Sequence, residues 1–279
     1  MQITVGDLVY DARSAGPQDG PAVLLLHGFP QTSRSWEGVA GLLAGDGMRC
    51  IAPDQRGYSP GARPPDVGDY SMPAIVADTV GMLDTLGLDT VDVVGHDWGA
   101  NVAWMLASWH PDRVRTLTAV SVPHPMAYGW ATRNDPEQQQ RGAYIRLFLL
   151  PDHEAERVLL EDDARRLRRV FAGGGLTEEA VSAYVEHFSE PGALTAALNW
   201  YRAAFDRPRP TGTMPPVEVP TTFVWSNGDV AVARSGAERC GRHVAADYRF
   251  VELDGISHWI PDEAPDALVE AVRARVGRG

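Results

Sequence analysis

At 279 residues and 44% hydrophobic content the chain can bury one large core or two modest ones, and no run of eighteen apolar residues suggests a membrane span. A net charge of −12 disfavours nucleic acid or an anionic membrane as partner, because both need a clustered positive surface. All 25 basic residues are arginine, which excludes a Schiff-base lysine and a phosphate loop ending in Gly-Lys.

In chain order, "MQITVGDLVYDARSAG" reads as a polar hairpin without the basic-then-apolar pattern of an export signal, so the expected location is the cytoplasm. "PAVLLLHG" (21–28) is too short and too apolar for anything but a buried strand. "MRCIAPD" (48–54), "VDVVGH" (91–96) and "VRTLTAVSVP" (114–123) are further core strands, and helices are expected around 36–44, 73–86 and 99–109. Strands alternating with helices imply an α/β fold whose mostly parallel sheet carries helices on both faces.

From 126 to 212 the rhythm changes to helical, Arg/Glu-rich text, broken at "FAGGGLT" and "SEPGALT". This is expected to be an inserted helical cap, with 1–125 and 213–279 forming the core domain. Within it, "ARRLRRV" (164–170) reads as a solvated helix face. "RPRPTGTMPP" (207–216) is a re-entry linker, after which "VPTTFVWSNGD" and "YRFVELDGISH" resume the strands and "APDALVEAVRARV" supplies a last amphipathic helix. Cys50 and Cys240 lack metal-ligand or CxxC spacing and read as buried, reduced thiols.

The chemistry gathers at strand ends. Gly95-His96-Asp97-Trp98-Gly99 has the G-x-nucleophile-x-G pattern in its required setting, a buried strand followed by a helix, with aspartate where an esterase has serine. Alone, Asp97 also reads as an ordinary N-cap. "HGFP" (27–30) ends the earlier strand at the same sheet edge, where the backbone N–H groups of Phe29 and Trp98 can face a developing oxyanion. Asp229 and His258 follow later strands, in the chain order nucleophile, acid, histidine. Asp254 and Asp262 are rival acids, but Asp254 sits at the strand end carrying His258 and Asp262 is placed to cap the last helix. The other histidines read as structural (His96, His124) or as surface and capping residues (His110, His153, His187, His243).

With these residues the chain resembles the α/β-hydrolase fold over nearly its full length. Its "HGFP", "GHDWGANVAW" and "ALNWYR" resemble the epoxide hydrolase family. The resemblance implies an epoxide-activating tyrosine at Tyr201 and a second at Tyr144 in "RGAYIRLF", with Trp200 as packing and Phe29 and Trp98 also lining the pocket. It implies a small-molecule substrate, an alkyl-enzyme ester on Asp97, and no metal or organic cofactor. A carboxylate suits displacement at saturated carbon, and a phenol with a pKa near 10 can donate to the departing oxygen while staying protonated at neutral pH. Two other readings share the core: a haloalkane dehalogenase, which needs N–H donors for halide, and a noncatalytic ligand-binding relative.

Overall fold

The computed structural model describes residues 1–205 and 214–277. Eight strands form one sheet: β1 (Gln2–Val5), β2 (Leu8–Ala15), β3 (Ala22–Leu26), β4 (Arg49–Pro53), β5 (Val91–His96), β6 (Val114–Val120), β7 (Thr221–Ser226) and β8 (Tyr248–Leu253). Their order is β1-β2-β4-β3-β5-β6-β7-β8, with β1/β2 and β2/β4 antiparallel and every later pair parallel. All positions of β3, β5 and β7 are buried, as expected of central strands covered on both faces, whereas β2 at the antiparallel end leaves residues exposed.

Alternation along each strand divides the core. Val23, Leu25 and Val94 pack with Val39 and Leu43 of α1 (Glu37–Gly45) and with Leu268 and Val272. Leu24, Leu26 and Val93 face the other way, toward Ile75 and Leu83 of α2 (Met72–Thr85) and Val102 and Leu106 of α3 (Trp98–Trp109). The one-residue switch of face that a strand imposes therefore feeds two helical layers from a single apolar run.

After β6 the chain runs through α4 (Pro125–Asn134), α5 (Pro136–Arg141), α6 (Ile145–Phe148), α7 (Glu154–Val170), α8 (Glu178–Ser189) and α9 (Ala193–Phe205), with no strand among the described residues before β7. Helix α7 is two segments joined by a kink, with Asp162, Asp163 and Ala164 at positive φ. The chain closes with α10 (Arg234–Arg239), α11 (Ile260–Glu263) and α12 (Pro265–Val276). Residues 207–213 of the proline-rich linker lie outside the described residues, as do 278 and 279 at the end of the core.

The inserted helices are tied to the sheet edge by polar contacts. Trp200 Nε1 donates to the Arg56 carbonyl at 2.8 Å, and Gln138 both donates to the Ala231 carbonyl and accepts from the Ala233 N–H, each at 2.9 Å. Backbones also meet closely: a Cβ on Gly57 would lie 2.9 Å from the Ala196 carbonyl oxygen.

Four expectations need correction. Asp262 does not cap the last helix, because the N-cap of α12 is Ala264, with no side-chain cap, and the Asp262 carboxylate instead accepts from Gln31 Nε2 and Tyr184 Oη. His187 is half-buried and stacks on Tyr58 at 6.4 Å, and His243 stacks on His124 at 4.6 Å, so neither is simply a surface residue. The basic run of α7 is not wholly a solvated face, since Arg166 lines the cavity beside Asp97. Both cysteines are buried and free, with burial pushing the Cys50 thiol up to about 11 and the Cys240 thiol up to about 12.

Candidate active site

Asp97 sits between β5 and α3 at φ 52° and ψ −117°, a conformation that costs about 1–3 kcal/mol and persists only when its surroundings enforce it. The enforcement is steric. A Cβ on Gly95 would meet the Gly99 carbonyl oxygen at 2.3 Å, one on Gly99 would meet the Leu26 carbonyl oxygen at 2.0 Å, and one on Gly28 would lie 2.3 Å from Asp97 Cβ. Three glycines therefore let β3, its following loop and the β5–α3 turn converge. Although Asp97 occupies the N-cap position of α3, its side chain makes no capping hydrogen bond. The carboxylate is aimed elsewhere.

Its Oδ1 accepts the Phe29 N–H at 2.9 Å and its Oδ2 lies 3.4 Å from His258 Nε2. His258 Nδ1 is 2.8 Å from Asp229 Oδ2, while Asp229 Oδ1 accepts the Ala231 and Val232 N–H groups at 2.7 and 3.0 Å. Each oxygen of Asp229 thus has its own duty, one orienting the ring and the other fixed by the backbone. Asp254, the rival acid, accepts from Asn227 Nδ2 at 2.7 Å.

Electrostatics follow from these contacts. Burial alone would raise the Asp97 carboxyl, but the His258 hydrogen bond and charge, with the Phe29 N–H, hold it below the usual carboxylate range. Burial would likewise discharge His258, yet Asp229 and then Asp97 outweigh it and raise the ring above its ordinary value.

The histidine loop has its own supports. His96 Nε2 lies 2.8 Å from the His258 carbonyl oxygen, which also accepts Ser121 Oγ at 2.9 Å. Burial pushes His96 down to about 4, so the neutral ring donates through Nε2. On the acid side, Arg141 donates to the Asp229 and Val232 carbonyls from α5. Sequence reading missed Ser121 and Arg141 as supports. Ser121 has only its place at the end of β6 as a signal, and Arg141 has none, because its partners are backbone atoms some 90 residues away.

A cavity of about 220 Å³ opens over this group and collects Phe29, Asp97, Tyr144, Tyr201 and His258 on one wall system. Tyr201 is buried, with its ring 5.6 Å from Phe29 and 5.0 Å from Trp98. Tyr144 keeps 39% of its surface accessible, although protein surrounds it closely enough to desolvate the phenol; a ring on a cavity wall satisfies both observations. Burial, then neighbouring phenols and Asp97, raises both hydroxyls well above 10, so both are protonated donors. Trp98 departs from expectation: it is not among the lining residues, and its indole packs edge-on against Tyr201 and Trp200.

A nucleophile elbow on a mostly parallel eight-stranded sheet, with acid and histidine following later strands, agrees with the match of residues 21–265 to the alpha/beta hydrolase fold family. The chain belongs to that family. The hydrolase is 35% identical over 268 residues to AB hydrolase superfamily protein YfhM of Bacillus subtilis, covering 94% of this chain and 92% of the relative. It is 30% identical to Epoxide hydrolase A of Mycobacterium tuberculosis, over 92% and 91% of the two chains. The crystal structure of the Bacillus megaterium epoxide hydrolase in complex with an inhibitor superposes with a TM-score of 0.89 at 25% identity, over 99% of this chain and all of that one. The hydrolase is thus homologous to epoxide hydrolases. No helix among its described residues is long and apolar enough to cross a membrane.

Proposed function

We propose that the protein hydrolyses an epoxide to a vicinal diol, with residues 126–212 acting as a cap over a core made of 1–125 and 213–279. The observation that carries this reading is a carboxylate, not a hydroxyl, at the elbow, lining the same cavity as two protonated phenols. Asp97 Oδ2 attacks an epoxide carbon and the C–O bond breaks. The departing oxygen takes a proton from Tyr201 or Tyr144, because an alkoxide is too basic to leave unassisted. Attack through Oδ2 leaves Oδ1 as the ester carbonyl oxygen, already at the Phe29 N–H where charge develops next.

Forming the ester also removes the Asp97 charge. His258 then loses one of the two carboxylates that raise its pKa, so its proton passes to the phenolate left by ring opening, which restores the phenol and leaves the ring neutral and free to accept a proton. It deprotonates water, which adds to the ester carbonyl. The Phe29 and Trp98 N–H groups hold the oxyanion, and collapse expels the diol with one oxygen from Asp97. Asp229 keeps the ring in the required tautomer. These steps draw on side chains and backbone alone. A haloalkane dehalogenase reading needs a set of N–H donors facing the halide, whereas the described cavity wall presents two phenols, leaves Trp98 outside and has Trp259 as its one indole.

The test is the intact mass of His258→Gln after incubation with an aryl epoxide and, separately, a haloalkane. A stable adduct from the epoxide alone, mapping to Asp97 and missing in Asp97→Ala, is the expected result. An adduct from the haloalkane alone moves the protein to dehalogenation. No adduct from a broad epoxide panel, with the fold intact, sinks covalent catalysis and leaves a binding role.

A further inference from the structure

The charged side chains on the wall of the active-site cavity fall in two places. One is the catalytic group, where Asp97 is 8% exposed; the other is Arg166, an exposed residue one turn before Val170 on the second segment of α7. Leu159, from the first segment, lines the same cavity, so the α7 kink lets both segments face it. Exposure rises along the lining from buried Asp97 to Tyr144 at 39%, Val230 at 70% and exposed Arg166, which mark the open side of the cavity. Besides His258, Arg166 is the one cation among the described lining residues.

Its guanidinium is not committed. Among the described residues its ion pairing is a single long contact, Nε to Glu161 Oε1 at 3.6 Å, while Glu161 is held more closely by Arg157 Nη1 at 3.1 Å. The neighbouring arginines are engaged differently: Arg165 pairs with Asp162 at 2.9 Å and Arg168 with Glu178 at 2.8 Å, and neither lines the cavity. A guanidinium offers a planar fork of N–H donors that matches a carboxylate, and at the rim of an apolar cavity it can meet one without full desolvation.

Resting on the reading of this site as an epoxide hydrolase, we propose that its preferred substrates carry a carboxylate at the end remote from the epoxide, and that Arg166 is the specificity residue that receives it. The apolar stretch between the two polar ends, with Phe148, Leu159 and Val170, takes the connecting carbon skeleton. A volume of about 220 Å³ falls below the ~300 Å³ at which drug-sized sites begin, so the skeleton is short. With a net charge of −12 the protein as a whole repels anions, and acceptance of one is a local property of this rim.

The experiment compares kcat/KM for a short terminal epoxide ending in a carboxylate with that for its methyl ester, in the wild type, Arg166→Gln and Arg165→Gln. The wild type is expected to favour the acid by roughly five- to tenfold, a preference that shrinks as salt rises because the contact is half-exposed. Arg166→Gln removes the preference by raising the acid's KM several-fold more than the ester's, while Arg165→Gln leaves both unchanged. Equal rates on acid and ester in the wild type overturn the proposal, as does an equal loss on both in Arg166→Gln, or the same loss of preference in Arg165→Gln. Turnover of the ester without acid preference overturns this assignment alone. Failure on both substrates, together with no His258→Gln adduct, overturns the epoxide hydrolase reading as well.

Discussion

The sheet edge and the inserted helices contribute to the cavity in different ways. The sheet edge supplies Asp97, Asp229 and His258, each 8% exposed or less and each fixed by backbone: the Phe29 N–H on Asp97, two N–H groups on Asp229, and His96 with Ser121 on the His258 carbonyl. The inserted helices supply phenols and a guanidinium on side chains held by packing, with Tyr201 against Phe29, Trp98 and Phe148, and Tyr144 against Phe148. Charge that must not move is built on strand ends, where converging backbone overdetermines it. Groups that meet a variable substrate sit on helices, where one substitution changes a contact without changing the turn.

The two phenols sharpen this comparison. Buried Tyr201 is wedged among three aromatic rings, so its hydroxyl position is better defined than that of Tyr144. Tyr201→Phe is expected to slow alkylation by about 10²-fold, the low end for loss of a general acid, and Tyr144→Phe by less. Rapid-quench detection of the ester in a single turnover measures this step directly. Equal rates for wild type and Tyr201→Phe would remove the phenol from the chemistry and reduce it to packing.

How much of this was legible beforehand follows the same divide. Gly95, Asp97 and Gly99 stood out because the turn admits only small residues at fixed spacing, and the structure adds the atoms that enforce it, Leu26 and Gly99 carbonyls. Strand boundaries were close to those found, with 91–96 matching β5, because buried parallel strands write themselves as short apolar runs. The inserted helices were readable as helices but not as walls: nothing local distinguishes Arg166, which lines the cavity, from Arg165, which does not. Burial of Asp262, His187 and His243 was likewise hidden, because each is covered by residues distant in sequence, Gln31 and Tyr184, Tyr58, and His124 respectively.

A pH series separates the two steps. Asp97 titrates below the usual carboxylate range and both phenols well above 10, so alkylation is expected to stay flat from mildly acidic solution to beyond pH 9. Ester hydrolysis needs neutral His258 and is expected to rise with pH through the titration of that ring, at a pKa lower than in the resting enzyme because esterified Asp97 no longer carries charge. Rapid-quench rates for each step across pH give both profiles. A fall in the alkylation rate between pH 7 and 9 would contradict the assignment of protonated phenols.

The smallest effect tests the seam between the two regions. Asp262 of the core accepts hydrogen bonds from Gln31, two residues after Phe29, and from Tyr184 on α8. Burial raises its carboxyl to about 7, against the opposing pull of Tyr184, Arg34 and Gln31. A carboxyl raised in the folded state binds its proton more tightly there than in the unfolded chain. Its contribution to stability is therefore fully present below the ordinary aspartate pKa of about 3.9 and is lost as pH rises toward about 7. Asp262→Asn keeps an acceptor for Gln31 and Tyr184 but cannot ionise. Chemical denaturation at pH 5 and pH 8 should show a smaller decline in stability for Asp262→Asn than for the wild type. Identical declines would mean that Asp262 is already ionised at pH 5 and that the contact with Tyr184 is one between a phenol and a carboxylate throughout.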